Sequence, residues 1–310
     1  MAKKKIRVAP SIRLALPATS ANLGPAFDAA ALAMDLYLTI DARPAAKFSI
    51  NATGRDQEIC GAVENENHLI LGTYREILES QGASITPLAL RIRNDIPIGK
   101  GCGSSAAARL AGIALANHFG HLRWSDAQII GEASRREHHP DNASACWMGG
   151  LTVARMSANA EVQFACIRPR GKWPLLLGIP DQALPTEEAR RVLPAQYTRG
   201  DAVANIQNSM LLLAAFTQGR HDLLSAALED HIHQPYRVPL CPLLPSLQRI
   251  PGIQGILGVA LSGAGPSVIV FLDPAVTRQK ARNAVATQLA LSGLRAELLP
   301  TSIALRGGGR

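Results

Sequence analysis

The 310-residue sequence predicts an α+β protein organised as two domains. Segments in which apolar and polar residues alternate, as in strands, are interspersed with segments of helical spacing along the whole chain. A loop-forming stretch at residues 166–172 contains two arginines, a proline and a glycine, and it lies near the middle of the chain. We therefore predict an N-terminal domain over residues 1–165 and a C-terminal domain over residues 166–310.

The N-terminal domain is predicted to begin with strands. Residues 6–40 alternate apolar and polar side chains, are interrupted by a polar loop at residues 18–25, and resume as a strand at residues 36–40. Residues 68–78 carry the spacing of a helix, and residues 88–94 alternate like a half-buried strand. A strand therefore precedes the glycine-rich loop that comes next in the chain.

Two helices follow that loop. Residues 104–119 are mostly apolar and rich in alanine, which predicts a helix that is buried on most sides and approaches its neighbours closely. Ser125 is a suitable N-cap for a second helix that continues to about Glu137. Pro140 ends this second helix, because proline lacks the N–H that a helix interior requires.

The C-terminal domain is predicted from strands at residues 175–179 and 267–272, with two or three helices between them. Three glycines precede the final arginine, so we expect residues 307–310 to form a frayed end.

The composition excludes several classes of protein. Hydrophobic residues make up 47% of the chain, charged residues 18% and aromatic residues 4%, unlike disordered chains and aromatic-rich single-strand binders. The net charge of +8 comes partly from a basic stretch at residues 3–7 and from Arg310. No zinc pattern accompanies this charge, so we expect no nucleic-acid partner. An anionic small substrate such as ATP accounts for the charge equally well.

The cysteines and the N-terminus indicate where the protein resides. The cysteines are odd in number, scattered and without a C-x-x-C pair, so we expect reduced, buried thiols. No signal-peptide pattern and no long apolar run is present, so we expect a cytoplasmic protein without a membrane partner. The five cysteines are Cys60, Cys102, Cys146, Cys166 and Cys241.

Residues 99–106, Gly-Lys-Gly-Cys-Gly-Ser-Ser-Ala, form a glycine-rich loop directly before the alanine-rich helix. Glycines let backbone amides approach a polyphosphate, and the positive end of the helix dipole points to the same place. The loop therefore predicts an anion site. It is not a Walker P-loop, because Lys100 precedes Gly101, and Ala106 replaces the third glycine of a dinucleotide motif. A plain turn between strand and helix is the alternative.

Two further loops favour a binding site. Residues 261–267, Leu-Ser-Gly-Ala-Gly-Pro-Ser, form another small-residue loop directly before a strand. Residues 17–28, Pro-Ala-Thr-Ser-Ala-Asn-Leu-Gly-Pro-Ala-Phe-Asp, form a polar loop in an otherwise apolar region. Three such loops in one chain are more than connections between elements require.

These segments resemble the motifs of the GHMP kinase superfamily and, within it, those of the homoserine kinases. Residues 17–28 are similar to P-A-T-S-A-N-L-G-P-G-F-D, residues 96–108 to I-P-L-x-x-G-L-G-S-S-A-A-A, and residues 139–142 to H-P-D-N. Further matches follow in the family's order at residues 189–194, 201–205, 233–237 and 260–267. The resemblance implies a ribosomal-protein-S5-like N-terminal nucleotide domain and a ferredoxin-like C-terminal α/β sandwich.

The resemblance also implies an activity, the ATP-dependent phosphorylation of L-homoserine to O-phospho-L-homoserine on the branch that leads to threonine. ATP and Mg²⁺ are the implied cofactors, and a homodimer is the implied assembly. One alternative is a kinase of the same fold that acts on L-threonine or another small hydroxy compound. The other is a non-catalytic metabolite-binding homologue, which has no need of phosphate-loop and acceptor residues together.

By resemblance, the serine hydroxyls and backbone amides of the glycine-rich loop hold the β- and γ-phosphates of ATP. Ser105 and Glu137 supply hard oxygen ligands to Mg²⁺, and Glu132 is the alternative carboxylate. The implied nucleotide-binding residues are Pro97, Gly99, Lys100, Gly101, Cys102, Gly103, Ser104, Ser105 and Ala106.

Homoserine carries an ammonium, a carboxylate and a primary hydroxyl. The resemblance assigns the ammonium to Asp28 and the carboxylate to Arg190 and Arg237, since a planar guanidinium binds a carboxylate bidentately. It assigns the hydroxyl to Asn142 and His139.

Two further residues complete the implied acceptor site, and a third is an alternative to one already named. Asn22 belongs to the first motif. Arg191 is the alternative to Arg190, but adjacent helical residues point about 100° apart, so only one of them faces a given site. Asp141 joins Asn142 and Ser105 as an implied catalytic residue. A general base is optional, because positioning and charge neutralisation can carry most of a phosphoryl transfer.

Four positions depart from the family pattern. Ala26 and His138 stand where the family has glycine, and Lys100 and Cys102 vary the phosphate loop. If the backbone at Ala26 requires a positive φ, its Cβ costs on the order of 1 kcal/mol and reshapes the amino-acid pocket. His138 adds bulk beside the same site. Both changes favour the alternative in which the acceptor is another hydroxy compound.

Overall fold

The structure is a computed structural model that describes residues 10–62, 68–159 and 161–309. The basic stretch at residues 3–7, the predicted start of the first strand at residue 6, and Arg310 lie outside the described residues. Two sheets with accompanying helices form the α+β fold that the sequence predicts. Of the helices described, none is long and apolar enough to cross a bilayer.

The first sheet has six strands. They are β1 (Ile12–Asn22), β2 (Ala26–Pro44), β3 (Ser49–Gly54), β4 (Leu88–Asn94), β5 (Leu151–Met156) and β6 (Val162–Ile167). The strand order is β3-β4-β2-β5-β6, and β1 pairs with β2. All pairs are antiparallel except β3 with β4. The long strand β2 forms the centre, since it pairs with three other strands.

Five helices pack with this sheet. They are α1 (Gln57–Gly61), α2 (Leu69–Ser80), α3 (Ser104–Phe119), α4 (Asp126–Glu137) and α5 (Asp141–Met148). Ser125 caps α4 through its side chain, as predicted. The small residues of α3 allow close packing: a Cβ on Gly112 would lie 2.6 Å from the carbonyl oxygen of Ile70 in α2. This approach fixes the axis of α3, whose first turn begins at the glycine-rich loop.

The second sheet has four antiparallel strands. They are β7 (Leu175–Ile179), β8 (Ile256–Leu261), β9 (Val268–Leu272) and β10 (Glu297–Thr301), in the order β10-β7-β9-β8. Its helices are α6 (Thr186–Arg191), α7 (Arg199–Gln218), α8 (Leu224–Ala227), α9 (Gln234–Arg237), α10 (Leu243–Leu247) and α11 (Arg278–Leu291). Residues 180–266 thus contain five α-helices where we predicted two or three, because three of them have only four or five residues and show no helical period.

Two predictions about local structure are wrong. Residues 18–22 belong to β1, and the loop is limited to residues 23–25, because small buried side chains such as Ala18 and Ala21 let β1 pair with β2 to its end. The expected frayed end is packed as far as it is described: the amides of Gly308 and Gly309 donate to the carbonyl oxygens of Cys146 and Trp147, at 3.0 Å each.

The division into domains at residues 165 and 166 stays a prediction. The first sheet ends at Ile167 and the second begins at Leu175. The chain later returns to the first sheet, where Ile303 bridges Met34 and the amide of Ala304 donates to the carbonyl oxygen of Ala33.

Candidate active site

A cavity of about 410 Å³ lies where the loops of both sheets meet. The β1–β2 turn, the glycine-rich loop, the α4–α5 connection and the 262–265 loop all contribute to its wall, together with α6 and α9. The predicted site residues on the wall are Asn22, Asp28, Gly99, Gly101, Gly103, Ser104, Ser105, Ala106, Glu137, His139, Asp141, Asn142, Arg190 and Arg237. The sequence motifs, which span more than 200 positions, therefore converge on one cavity.

The glycine-rich loop has the backbone that its glycines suggest. Gly99, Gly101 and Gly103 have φ values of 70°, 75° and 72°, a region that side chains with a Cβ rarely adopt. A Cβ on Gly101 would lie 2.2 Å from the carbonyl oxygen of Ser262. Helix α3 starts directly after the loop at Ser104, so its free N–H groups face the cavity. This arrangement suits phosphate oxygens.

The 262–265 loop holds the other two loops together. The Ser262 hydroxyl donates to the carbonyl oxygen of Gly101 at 2.8 Å. On the other side, the amide of Gly263 donates to the carbonyl oxygen of Ala21 at 3.1 Å, and Asn22 Nδ2 donates to the carbonyl oxygen of Gly263 at 2.8 Å. A loop of the second sheet therefore fixes two walls that belong to the first.

Ser105 and Glu137 lie side by side beside the glycine-rich loop. Ser105 Oγ donates to Glu137 Oε1 at 2.7 Å, and Arg109 Nε donates to the same oxygen at 2.5 Å. Glu132, the alternative carboxylate, is absent from the cavity wall and pairs with Arg135 and Arg136. The hydroxyl and carboxylate of Ser105 and Glu137 are a donor set that fits Mg²⁺, which prefers oxygen ligands.

Three predicted nucleotide-binding residues do not reach the cavity wall, namely Pro97, Lys100 and Cys102. Lys100 Nζ instead donates to the carbonyl oxygens of Pro180, at 3.0 Å, and Asp181. The Cys102 side chain is buried, and burial raises the pKa of its thiol to about 12. Lys100 therefore ties the loop to the second sheet, and Cys102 contributes to the core.

Sequence reasoning missed the apolar half of the cavity. Its side chains are aliphatic and give the cavity an apolar wall. The members named below come from four separate segments, of which only residues 96 and 98 belong to a recognised motif, so only the fold brings them together. They include Leu38, Ile59, Leu69, Ile70, Ile96 and Ile98.

Asp28 and Arg190 form a bidentate ion pair on the opposite wall. The Arg190 nitrogens donate to the two Asp28 oxygens at 3.0 and 2.7 Å. Burial lowers the pKa of Arg190, but the hydrogen bond and the charge of Asp28 outweigh this effect and raise it. Arg191 pairs with the exposed Glu187 instead, so the structure brings Arg190 and not its neighbour to the cavity.

Arg237 is buried behind this ion pair. Its Nε donates to the carbonyl oxygen of Ala189 at 2.9 Å, and its Nη1 lies 3.0 Å from His233 Nδ1. Burial lowers the pKa of Arg237 to about 10. The guanidinium carbons of Arg190 and Arg237 lie 5.3 and 5.4 Å from the ring centre of Phe27, a position typical of cation–π contacts. We assigned no role to Phe27 or His233 from the sequence.

His139, Asp141 and Asn142 meet where α4 passes into α5. Asp141 Oδ1 lies 2.6 Å from His139 Nδ1 and accepts a hydrogen bond from the amide of Asn142 at 2.6 Å. Burial opposes the charged imidazolium, but the hydrogen bond and charge of Asp141 prevail and raise the pKa of His139. One ligand atom each of Asp28, His139 and Asp141 lies within 4.8 Å of the others, so two carboxylates and an imidazole lie together on the cavity wall.

The two departures from glycine have different outcomes. Ala26 does not have a positive φ; it pairs with Asn22 as the first residue of β2, so its Cβ causes no backbone strain. His138 does have a positive φ, 66°, at the C-cap of α4. Its side chain is exposed and is not part of the cavity wall, so it adds no bulk to the pocket.

Comparison with known proteins agrees with this geometry. Models of the N-terminal and C-terminal domains of GHMP kinases match residues 68–150 and 212–291. A homoserine kinase of Solibacter usitatus is 43% identical over 260 residues, 84% of each chain. A homoserine kinase of Synechococcus is 34% identical over 93% of this chain and 94% of its own. The structure of homoserine kinase from Cytophaga hutchinsonii has a TM-score of 0.80 over 99% of this chain and 98% of its own; at 22% identity it shows the fold alone.

The fold and these relatives define a small-molecule kinase, a phosphotransferase. The chain belongs to the GHMP kinase family, and these relatives within that family are homoserine kinases.

Proposed function

We propose that the protein transfers the γ-phosphoryl group of ATP to the hydroxyl of L-homoserine and releases ADP and O-phospho-L-homoserine. One observation carries the proposal. A single cavity joins a phosphate-type loop at a helix N-terminus to an acid and two arginines that are complementary to an amino acid. The names of the relatives support homoserine as the acceptor.

On the nucleotide side, the backbone amides of the glycine-rich loop and the start of α3 bind the β- and γ-phosphates, and the apolar half of the cavity receives the base. Ser105 and Glu137 would hold Mg²⁺, which neutralises charge on the phosphates when it is bound. Arg109 keeps the Glu137 carboxylate turned towards Ser105 through its hydrogen bond to Oε1.

On the acceptor side, Asp28 receives the ammonium of homoserine, and Arg190 and Arg237 receive its carboxylate. The amino acid inserts between Asp28 and Arg190, which pair with each other in the structure. The ammonium then replaces Arg190 as the partner of Asp28, and the carboxylate replaces Asp28 as the partner of Arg190. The side chain of the substrate then extends towards Asn142 and His139, which also lie on the cavity wall.

The proton of the attacking hydroxyl passes to a phosphoryl oxygen in this proposal. Asp141 Oδ1 already accepts from the Asn142 amide and lies in hydrogen-bond range of His139, so its first task is to hold these two residues. Phosphoryl transfer through a loose transition state needs little help from a base. In this proposal Asp141 therefore positions His139 and Asn142 and does not act as a general base.

The assembly and the location are also proposals. All five cysteines are free, which suits a reducing compartment such as the cytoplasm. The exposed apolar side chains of Val203, Ile206 and Met210 on α7 provide a surface on which a homodimer could form.

A product assay tests the proposed function. Purified protein receives MgATP and, separately, L-homoserine, L-threonine or L-serine, and ADP and the phosphorylated amino acid are quantified. We expect O-phospho-L-homoserine, with kcat/KM for homoserine roughly 10-fold or more above that for the other two. Activity should disappear when EDTA removes divalent cations.

A mock preparation, purified in the same way from cells that do not express the protein, corrects for contaminating kinases. If the protein preferred threonine, the proposed acceptor would be wrong, but the assignment as a kinase would stand. Absence of turnover with all three acceptors would overturn the proposal.

A further inference from the structure

We propose that Thr19 is a positioning residue that fixes the orientation of the Asn142 carboxamide, so that Asn142 presents its NH₂ group to the reacting atoms. The inference rests on the proposed phosphoryl transfer. It adds a residue that does not line the cavity itself and acts only through Asn142 and the phosphate loop.

Thr19 contacts both halves of the site. It is fully buried in β1, 123 positions before Asn142 in the chain, and its hydroxyl donates to Asn142 Oδ1 at 2.5 Å. Its backbone amide donates to the carbonyl oxygen of Cys102 in the glycine-rich loop at 3.0 Å. One residue of β1 therefore links the glycine-rich loop to the α4–α5 connection.

The neighbours of Asn142 select one orientation of its amide. Asn142 Nδ2 lies 3.4 Å from Asp141 Oδ1, a carboxylate oxygen that accepts hydrogen bonds. Rotation of the carboxamide by 180° would place Oδ1 there instead, so two acceptor oxygens would face each other. In the orientation shown, Oδ1 accepts from the Thr19 hydroxyl. Asp141 therefore selects this orientation, because a threonine hydroxyl can donate or accept and would bond either amide atom. The hydrogen bond from Thr19 then holds the selected carboxamide in place.

This orientation determines what Asn142 can do in the reaction. With Oδ1 occupied by Thr19, the free N–H of the carboxamide is a donor on the cavity wall. It can donate to an oxygen of the transferred phosphoryl group or to the oxygen of the acceptor hydroxyl. It cannot accept the hydroxyl proton. Asn142 therefore stabilises developing charge by donation, an interaction that depends on fixed geometry.

The packing of Gly103 shows how closely Thr19 approaches the phosphate loop. A Cβ on Gly103 would lie 1.9 Å from Thr19 Oγ1. A glycine at this position is what allows the threonine hydroxyl to pass the loop and reach Asn142. Gly103 therefore contributes to the placement of Asn142 as well as to the proposed phosphate site.

The test compares Thr19→Val, which keeps the shape and removes the hydroxyl, with Thr19→Ser, which keeps the hydroxyl. We expect Thr19→Val to lower kcat roughly 10- to 100-fold, as small misplacements of reacting groups do, with the KM for ATP changed less than about 3-fold. Thr19→Ser should recover most of the lost turnover. Thr152→Val removes another fully buried threonine hydroxyl, outside the cavity, and is the control that should keep the wild-type kcat.

A double-mutant cycle separates positioning from a general structural role. If Thr19 acts through Asn142, Thr19→Val in the Asn142→Ala background should lower kcat no further. Equal losses in both backgrounds, or a Thr19→Val kcat within about 2-fold of wild type, would overturn the inference. Thr19→Ala, which adds no atom beside Gly103, is measured in parallel and decides the outcome if Thr19→Val does not fold.

The wild-type rate distinguishes this inference from the proposed function. Normal wild-type turnover with an unaffected Thr19→Val variant rejects only the role of Thr19. If the wild type phosphorylates another acceptor, the cycle is run with that acceptor. A wild type without any kinase activity rejects both.

Discussion

The phosphate-binding part of the nucleotide half is built mainly from backbone, whereas the acceptor half is built from side chains that hold one another. In the nucleotide half, three glycines with positive φ and the first turn of α3 lie within eight consecutive positions. In the acceptor half, Asp28 pairs with Arg190 across 162 positions, and Arg237 is held by His233. Local sequence therefore determines the phosphate-binding part of the nucleotide half, and tertiary contacts determine the acceptor half.

This difference predicts different responses to substitution. A backbone site tolerates changes at its side chains but fails when a Cβ is added to a glycine, because no rotamer can relieve the contact. A site of paired side chains keeps its fold when one partner becomes neutral, and it loses only the ligand group that the partner recognised.

The largest effect is expected for Gly101→Ala. The added Cβ would lie 2.2 and 2.6 Å from the carbonyl oxygens of Ser262 and Gly265, and the residue has a positive φ. We expect kcat/KM for ATP to fall by on the order of 100-fold or more and the free energy of unfolding to fall by roughly 1–3 kcal/mol. Steady-state kinetics and denaturant unfolding measure both.

Gly131→Ala is the matched control. Gly131 lies in α4, its φ is not positive, and a Cβ there would meet no atom within 4 Å. Alanine should leave activity unchanged and stabilise the protein by about 0.5–1 kcal/mol. If both glycine variants behaved alike, the backbone of the loop would not be the basis of nucleotide binding.

A smaller and more selective effect is expected for Asp28→Asn. Asn tolerates the positive φ of 53° at this position and keeps the shape, but it cannot neutralise an ammonium. We expect the KM for homoserine to rise roughly 100-fold and the KM for ATP to stay within about 3-fold. Parallel kinetics with each substrate varied in turn provide the comparison.

Asp222→Asn is the control for this variant. Asp222 forms a similar two-bond contact with Arg220, but both side chains are exposed and outside the cavity. Both KM values should therefore remain at wild-type level. An equal rise in the KM for ATP and for homoserine in Asp28→Asn would remove Asp28 from the acceptor half.

The smallest effect concerns stability at acid pH. Burial lowers the pKa of His233 to about 4, with Asp230 and Asp28 opposing and Arg237 adding to the shift. Between about pH 6.5 and 4 the unfolded state binds a proton that the folded state does not, so acidification destabilises the wild type. His233→Asn keeps an acceptor for Arg237 without titrating. The stability difference between the two proteins should shrink by at most about 1.4 kcal/mol per pH unit in this window.

His139, also in the acceptor half, should show the opposite pH dependence of stability. Its pKa is raised, so its contribution to stability is present below about pH 6.5 and is lost as the pH rises through the folded-state value. His139→Asn should therefore differ from the wild type most at acid pH. Denaturant unfolding at several pH values tests both variants, and parallel profiles would contradict the two environments described for these histidines.

Much of the nucleotide half could be predicted from the sequence because its determinants are local. Helix α3 begins and ends where the alanine-rich stretch predicts, and Ser125 caps α4 as expected. The position of the Lys100 side chain could not be predicted, because its partners are the carbonyl oxygens of residues 180–181, which follow a strand of the second sheet. The position of the Cys102 side chain could not be predicted either, because its burial depends on the packing of the whole core.

The acceptor half could be predicted only as a set of residues. The motif resemblance named Asp28, Arg190 and Asn142, but no local pattern shows that Asp28 binds Arg190 in the absence of substrate. Thr19 lies in the motif at residues 17–28, but the motif alone indicates no role for it, since its partner Asn142 lies 123 positions away. The strain considered at Ala26 was wrong for a similar reason: the pairing of β1 with β2 determines its φ.

The packing of the chain's last described residues has a consequence for how the protein folds during synthesis. The strands of the first sheet leave the ribosome early, yet Ala33, Gly150 and Cys146 receive their final hydrogen-bond partners only from residues 304–308. Until these residues have been translated, the three backbone groups lack the partners that they have in the structure. The side of Trp147 that packs against Gly308 and Gly309 is also uncovered during that time.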